Sequence, residues 1–164
     1  MELPGGTIVY HTTDYQSAIS ILRDGIRQVE SGWAGGGLAG IGFYTHREWK
    51  ASTLYHNPEK GPPVTLAFHT QAAARGRAAP QDVNVGSLPA LQYVPGNDFI
   101  AREEDQGEIK WHSGALIDQE NVEVRTYSGS VNDIDTSDTS KWEVFRNKGD
   151  FRSYVEDVLV MDWD

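Results

Sequence analysis

A small set of side chains in this sequence is suited to chemistry: one imidazole, two phenols, one hydroxyl and one carboxylate, at His11, Tyr44, Tyr55, Ser52 and Glu108. Such groups can hold a ligand through hydrogen bonds, stack on a flat ring and stabilise a developing positive charge. Ser52 comes three residues before Tyr55, so we expect both on one side of a helix. Taken singly, each has an ordinary interpretation, such as a capping histidine, a half-buried tyrosine or a solvated glutamate. Only their combination and order indicate a site.

Several other site chemistries are excluded by the sequence. There is no cysteine, which removes disulfides, thiolate metal ligands and cysteine nucleophiles. The nucleophile-elbow pattern G-x-S-x-G is absent, and the glycine-rich segment 31–42 has no lysine for a phosphate-binding loop. The remaining histidines lack metal-ligand spacing, so we interpret them as surface residues and predict no metal: His46, His56, His69 and His112.

Composition narrows the functional classes. At 164 residues and 18.2 kDa, the chain has room for one domain, 1–164. The net charge of −10 argues against binding nucleic-acid phosphates or an anionic membrane surface. There is no signal-peptide pattern at the start and no apolar run of about 18 residues. We therefore expect a monomer that acts in a cytoplasm and does not enter a membrane.

The first predicted unit is a strand followed by a helix. Residues 7–10 are β-branched and aromatic, which favours a buried strand that ends at His11. Thr13 and Gln16 form a capping box for a helix of about ten residues. Gly25 stands where a glycine would end that helix. The unit places His11 directly before a helix.

The second predicted unit repeats this arrangement. A short strand over 42–44 ends at Tyr44. Thr45 and Glu48 form another capping box, which predicts a helix over 47–55 that carries Ser52 and Tyr55.

The rest of the chain predicts short strands joined by loops, with few helices, which is an α+β fold. The predicted elements are strands over 64–69, 99–101, 108–111, 122–126 and 158–161, a helical turn over 71–77, an irregular segment over 78–97, an acidic turn over 103–107, and a helix from Ser140 to Asn147.

In this order the segments resemble a known family. The matching residues are Tyr10-His11-Thr12-Thr13-Asp14-Tyr15, Ala18, Ile21-Leu22, Gly25-Ile26, Gly42-Phe43-Tyr44-Thr45, Ala51-Ser52, Tyr55, and Gly107-Glu108-Ile109-Lys110-Trp111-His112 with Glu120-Asn121-Val122. They are similar to the NAD-binding half of ADP-ribosyltransferases of the H-Y-E type, which include diphtheria toxin and the poly(ADP-ribose) polymerases. The resemblance covers about residues 8–56 and 107–126. It implies split antiparallel β-sheets with short flanking helices.

The resemblance also implies roles for the site residues, with NAD⁺ as substrate and no metal. Breaking the nicotinamide glycosidic bond creates an oxocarbenium-like centre. Glu108 would bond the 2′-hydroxyl of the nicotinamide ribose and stabilise that centre, forming with His11 and Tyr44 the catalytic set. Tyr44 and Tyr55 would clamp the nicotinamide ring between them. Ser52 and the Thr12 backbone would hydrogen-bond its carboxamide. His11 would hold the adenosine ribose, and Thr13 would lie in the same NAD⁺-contacting segment.

Some residues depart from the family pattern, and others could take the roles that it assigns. Thr12 stands where the family has glycine. Gln106 before Glu108 also resembles the Gln-x-Glu of the family's Arg-Ser-Glu branch, although position 11 is not arginine. Other carboxylates compete for the catalytic role, and few cations stand near the motif to hold the pyrophosphate. The competing carboxylates are Glu103, Glu104 and Glu120, and the cations are Arg23, Arg27 and Arg47.

The resulting hypothesis is a mono-ADP-ribosyltransferase that passes ADP-ribose from NAD⁺ to a macromolecular acceptor, with protein favoured. A chain of this size also fits a toxin or effector domain, delivered or secreted without a visible signal peptide. Two alternatives stay open: an NAD⁺ glycohydrolase, and an inactive domain that binds NAD⁺, ADP-ribose or a protein. A tRNA 2′-phosphotransferase is disfavoured by the negative charge.

Overall fold

A computed structural model describes residues 1–26, 43–78, 96–102, 107–112 and 114–164. These residues form nine strands and three α-helices, an α+β fold as predicted. The strands are β1 (Glu2–Leu3), β2 (Ile8–Thr13), β3 (Phe43–His46), β4 (Val64–Thr70), β5 (Ala74–Ala78), β6 (Phe99–Arg102), β7 (Glu108–Trp111), β8 (Ile117–Tyr127) and β9 (Trp142–Phe145). The α-helices are α1 (Tyr15–Asp24), α2 (Trp49–Thr53) and α3 (Lys148–Asp157), with 3₁₀ turns over Pro58–Lys60 and Thr139–Lys141.

The strands hydrogen-bond in one continuous order, β1-β5-β6-β7-β3-β2-β4-β8-β9. Neighbours are antiparallel except for the parallel pair β5–β6. β2 and β4 pair at six consecutive positions, whereas β2 and β3 pair only at Tyr10 and His46. This single position is a narrow joint between the β7–β3 part of the sheet and the β2–β4–β8 part.

The apolar core lies where α1, α3 and the sheet pack together. β4 is rich in β-branched and aromatic residues and is buried along nearly its whole length, as expected of a central strand. α1 buries Ala18, Ile21 and Leu22, and α3 buries Phe151 and Val155. The three faces join one cluster of buried residues, which fixes the sheet that carries the candidate site.

Helix α1 matches its prediction, but its start is different. β2 continues to Thr13, which pairs with Val64, so Thr13 is extended and does not cap the helix. Asp14 caps α1 instead, accepting a bond of 2.9 Å from the Ser17 backbone N–H. Gly25 ends the helix with φ of 87°, a conformation that glycine adopts without strain. His11 therefore lies inside a strand.

Helix α2 is shorter than predicted because β3 is longer. Thr45 belongs to β3, where its hydroxyl donates to the Ile109 carbonyl at 3.4 Å and accepts from the Trp111 indole at 2.9 Å. It cannot also cap a helix, and Glu48 precedes α2 without a side-chain capping bond. α2 ends at Thr53, which leaves Tyr55 in the turn beyond it.

Three further predictions are wrong, two of them because strand pairing overrides the local pattern. The helical turn over 71–77 is strand β5 from position 74, held between β1 and β6. The helix expected from Ser140 to Asn147 is a 3₁₀ turn and strand β9, which pairs with β8. The strand expected over 158–161 is an irregular segment after α3 that packs Leu159 and Met161 on the core.

Candidate functional site

One face of the sheet collects polar side chains across five neighbouring strands. Residues directly opposite each other in paired strands point to the same face. Register therefore defines this surface, which we call the polar face: Glu108 and Lys110 on β7, Tyr44 and His46 on β3, Tyr10 and Thr12 on β2, Thr65 on β4 and Arg125 on β8. The reverse face is largely apolar and carries Phe43, Ile109 and Trp111.

Glu108 opens β7, as predicted, and is 3% exposed. Gly107 before it has φ of 78°, and its carbonyl accepts the Arg47 backbone N–H at 3.0 Å. A Cβ at Gly107 would lie 3.0 Å from the Arg47 Cβ. The glycine thus lets the chain pass close to β3 as β7 begins, and this fixes the position of the Glu108 carboxylate.

His46 lies beside Glu108, although its pattern had indicated a surface residue. The two are opposite in the β3–β7 register, with Nε2 of His46 3.7 Å from Oε2 of Glu108. His46 is 5% exposed, and its ring stacks on Tyr55 with centroids 5.2 Å apart and an interplanar angle of 21°. Tyr55 itself is 60% exposed. The structure therefore brings Glu108, His46 and Tyr55 together.

His11 occupies the joint between β2 and β3. Its Nδ1 is 2.6 Å from the Tyr44 carbonyl oxygen, and its ring stacks on Phe43 at 4.5 Å. Desolvation lowers the pKa of His11, outweighing the Tyr44 bond and the Asp14 charge, which raise it. Since a carbonyl only accepts, the neutral ring carries its proton on Nδ1 and presents Nε2 as an acceptor. That acceptor suits a sugar hydroxyl.

Thr12 and Ser52 meet in a closed circuit of hydrogen bonds. The Ser52 hydroxyl donates to the Trp49 carbonyl at 2.6 Å and lies 2.8 Å from the Thr12 hydroxyl. The Thr12 hydroxyl lies 2.7 Å from that of Thr65, which accepts the Trp49 indole N–H at 3.1 Å. Each hydroxyl has one proton, so the circuit runs in one direction, from Thr65 to Thr12 to Ser52.

This circuit gives the Thr12 side chain a structural role. The Thr12 side chain ties β2 to β4 and α2, which no glycine could do. Ser52 is 3% exposed, and its hydroxyl already donates its proton to the Trp49 carbonyl. Toward a carboxamide it can therefore act only as an acceptor, unless the bond to Trp49 breaks.

The structure separates the predicted residues into two groups. Tyr44 lies inside β3, opposite Lys110, on the polar face. Thr13 ends β2 opposite Val64, and strand alternation puts it with His11 on the reverse side of β2. The competing carboxylate Glu120 is exposed. The two other competitors, Glu103 and Glu104, lie outside the described residues, as do Arg27 and the glycine-rich segment.

The positive charge near the site comes from residues that sequence reasoning missed. Lys110 is 2% exposed. Arg77 lies on the same face two strands away on β5, opposite Ile100 of β6, which is itself opposite Lys110. Desolvation and then the Arg77 charge lower the pKa of Lys110 from 10.5 to about 8. Burial and the same two cations lower the pKa of His112 to about 4. Arg23, by contrast, is bonded to Asp24 at 2.9 Å.

The lowered pKa of Lys110 predicts a pH-dependent cost to folding. Between pH 8 and 10.5 the unfolded chain keeps a proton that the folded protein releases, so stability rises with pH in this window. We expect Lys110→Met to raise the free energy of unfolding at pH 7 by about 1–2 kcal/mol. The difference from wild type should shrink between pH 8 and 10.5, as followed by urea unfolding. Lys50→Met, at an exposed site, is the control. A difference that stays constant with pH would contradict the prediction.

No group of three or more histidines, aspartates or glutamates within the described segments of the chain lies close enough together to hold a metal ion. No helix in these segments is long and apolar enough to cross a membrane.

Comparison with known proteins adds no relative: no protein-family model and no curated protein sequence matches this chain.

Proposed function

We propose that this protein is a mono-ADP-ribosyltransferase that cleaves NAD⁺ and transfers ADP-ribose to a protein acceptor. One observation carries the proposal. The strands that hold His11, Tyr44 and Glu108 are neighbours in the sheet, in the order β7-β3-β2, although Glu108 is far from the other two in sequence. The family pattern demands that these residues meet at one site, and the sheet order brings their strands together. The narrow joint between β2 and β3 also supports the split-sheet fold that the resemblance implies.

The two sides of that joint suit the two halves of a dinucleotide. Glu108 lies on the polar face, while His11 lies at the joint on the reverse side of β2, with Nδ1 bonded to the Tyr44 carbonyl and Nε2 as its acceptor nitrogen. A ligand that reaches both must extend across the joint. NAD⁺ has a ribose at each end of its pyrophosphate, so one ribose can contact His11 while the other contacts Glu108.

The reaction follows from a carboxylate held in a buried position. The bond between C1′ of the ribose and the nicotinamide nitrogen breaks, and the electron pair leaves with neutral nicotinamide. The positive charge left on the ribose is stabilised by the Glu108 carboxylate, which also accepts a bond from the 2′-hydroxyl. A nucleophile of the acceptor then attacks C1′ and loses its proton. Lys110 and Arg77 supply positive charge on the same face for the pyrophosphate.

Charge favours a basic acceptor surface. The protein carries a net charge of −10, which repels nucleic acid and attracts positively charged proteins. A basic protein acceptor is therefore the natural partner.

The direct test is incubation with NAD⁺ labelled in its adenylate phosphate, with and without a cell lysate. Label on protein together with nicotinamide release supports transfer. Nicotinamide release without labelled protein assigns the glycohydrolase activity instead. If neither labelled protein nor nicotinamide forms, both the transferase and the glycohydrolase activity are excluded. If NAD⁺ then still stabilises the protein against unfolding, the protein is an inactive NAD⁺-binding domain.

Tyr55 provides a second test, because its ring is the most accessible part of the proposed clamp. We expect Tyr55→Ala to raise KM for NAD⁺ about 3- to 10-fold, since a stacked ring contributes roughly 0.5–1.5 kcal/mol beyond burial. The increase in melting temperature produced by NAD⁺ should fall correspondingly. Tyr55→Phe keeps the ring and should behave like wild type. Equal NAD⁺ stabilisation of Tyr55→Ala and wild type would exclude Tyr55 from the clamp.

A further inference from the structure

His46 contacts both the proposed catalytic carboxylate, Glu108, and one ring of the proposed nicotinamide clamp, Tyr55. Its Nε2 lies 3.7 Å from the Glu108 carboxylate, and its ring stacks on Tyr55 at 5.2 Å. His46 and Glu108 are both buried, with 5% and 3% exposure. A charge on the imidazole would therefore be felt by the carboxylate with little screening by water.

We propose that His46 is a positioning residue that holds Glu108 for catalysis when its imidazole is neutral and switches the site off when the imidazole is protonated. The inference rests on the proposed function. It is distinct from the roles that the resemblance gives to His11, Tyr44 and Glu108.

A positive charge on His46 would weaken the action of Glu108. Glu108 stabilises the oxocarbenium centre only with its negative charge, and a cation 3.7 Å away offsets much of that charge in a low-dielectric environment. A neutral imidazole leaves the carboxylate its full charge and restricts its orientation. Protonation of His46 should therefore slow bond cleavage.

A positive charge on His46 would also oppose the binding of NAD⁺. The nicotinamide ring of NAD⁺ is itself a cation, and it would stack on Tyr55 next to His46. An imidazolium under the same tyrosine would repel it, whereas a neutral ring would not. Both effects act in the same direction, so a proton on His46 opposes binding as well as chemistry.

The phenols and the ammonium group on this face ordinarily change charge at a higher pH than an imidazole does. Tyrosines ordinarily lose their proton near pH 10, and the pKa of Lys110 is about 8, above the range of an ordinary imidazole. The titratable and charged residues facing this part of the site, or opposite it in register, are Tyr10 on β2, Tyr44 on β3, Tyr55 beyond α2, Glu108 and Lys110 on β7, and Arg102 opposite Glu108 on β6.

The experiment measures nicotinamide release between pH 5 and 8 for wild type, His46→Gln and His46→Ala. In wild type, kcat/KM should fall up to tenfold per pH unit once the imidazole takes up a proton. Glutamine keeps a polar side chain without titrating, so His46→Gln should lose this acid limb and retain activity at pH 5. His46→Ala should lower kcat at least tenfold at pH 8, where the wild-type imidazole is neutral, with a smaller change in KM, and it should lose the acid limb as well. His69→Gln, on β4, should keep the wild-type profile. A wild-type acid limb in His46→Gln would overturn the proposal.

A second measurement needs no substrate and so separates the two hypotheses. In protein with isotope-labelled histidine, NMR follows the His46 signals against pH in wild type and in Glu108→Gln. Removing the carboxylate charge should move the titration midpoint to lower pH by about one unit, and an unchanged midpoint would overturn the pairing. If the midpoint moves but wild type releases no nicotinamide, the proposed function fails and the catalytic role of His46 fails with it, while the pair itself stands.

Discussion

Replacing Glu108 by Gln is expected to lower kcat for nicotinamide release by about 10²–10³-fold, equivalent to roughly 3–4 kcal/mol of transition-state stabilisation. Glutamine has nearly the same shape and can still bond a hydroxyl, so KM for NAD⁺ should change only a few-fold. The loss in kcat arises because the amide carries no charge to stabilise the oxocarbenium centre. Single-turnover measurement of nicotinamide release with saturating NAD⁺ tests this directly.

The matched control is Glu120→Gln. Glu120 is a competing carboxylate on β8, exposed to solvent, and its loss should leave kcat unchanged. Thermal unfolding of both variants checks that each is folded under the assay conditions. A Glu108→Gln variant that keeps more than about a tenth of wild-type kcat would remove Glu108 from the catalytic role and return the assignment to the other carboxylates.

The strands that carry the predicted site could be found from sequence because their signals are local. β2 has a run of β-branched and aromatic residues before His11, and β7 begins at Glu108 after a run of polar residues in the sequence. Gly25 ended α1 where its type predicted. Such features depend on backbone preferences of a few neighbouring residues, which sequence displays directly.

His46 could not be found in the same way. The segment Thr45 to Glu48 has the pattern of a capping box, but the pairing of β3 with β7, and of His46 with Tyr10 on β2, keeps Thr45 and His46 extended. One signal was present: Phe43 and Thr45 alternate with Tyr44 and His46, as apolar and polar sides of a strand alternate. The pairing that places His46 against Glu108 spans more than sixty residues of sequence, and no local preference encodes it.

Strand β5 could not be predicted from local sequence either, and a substitution at its Gly76 has the largest effect on stability that we expect. Nothing local marks residues 74–78 as a strand, but Gly76 lies opposite Phe99 in the parallel β5–β6 pair. A Cβ at Gly76 would overlap the Phe99 ring. Phe99 is fully buried and packs on Trp111 with ring centroids 5.3 Å apart, so it cannot move aside cheaply.

Gly76→Ala is therefore expected to lower the free energy of unfolding by about 3 kcal/mol or more, at the upper end of the usual cost of overpacking. Urea unfolding measures the effect. Gly149→Ala is the matched control. Gly149 is exposed near the start of α3, and a Cβ there meets only the Asn147 side-chain oxygen at 3.4 Å. Since alanine favours a helix, this change should stabilise the protein by up to about 1 kcal/mol.

A double-mutant cycle with Phe99→Leu identifies the cause of the loss. If the steric conflict with the ring is responsible, the smaller side chain relieves it, and the double variant should be more stable than the sum of the single changes by at least about 1 kcal/mol. Additive costs would instead place the conflict elsewhere in β5. The outcome also bears on the site, because Trp111 donates to Thr45 at 2.9 Å and so links the packing of Phe99 to the strand that holds His46.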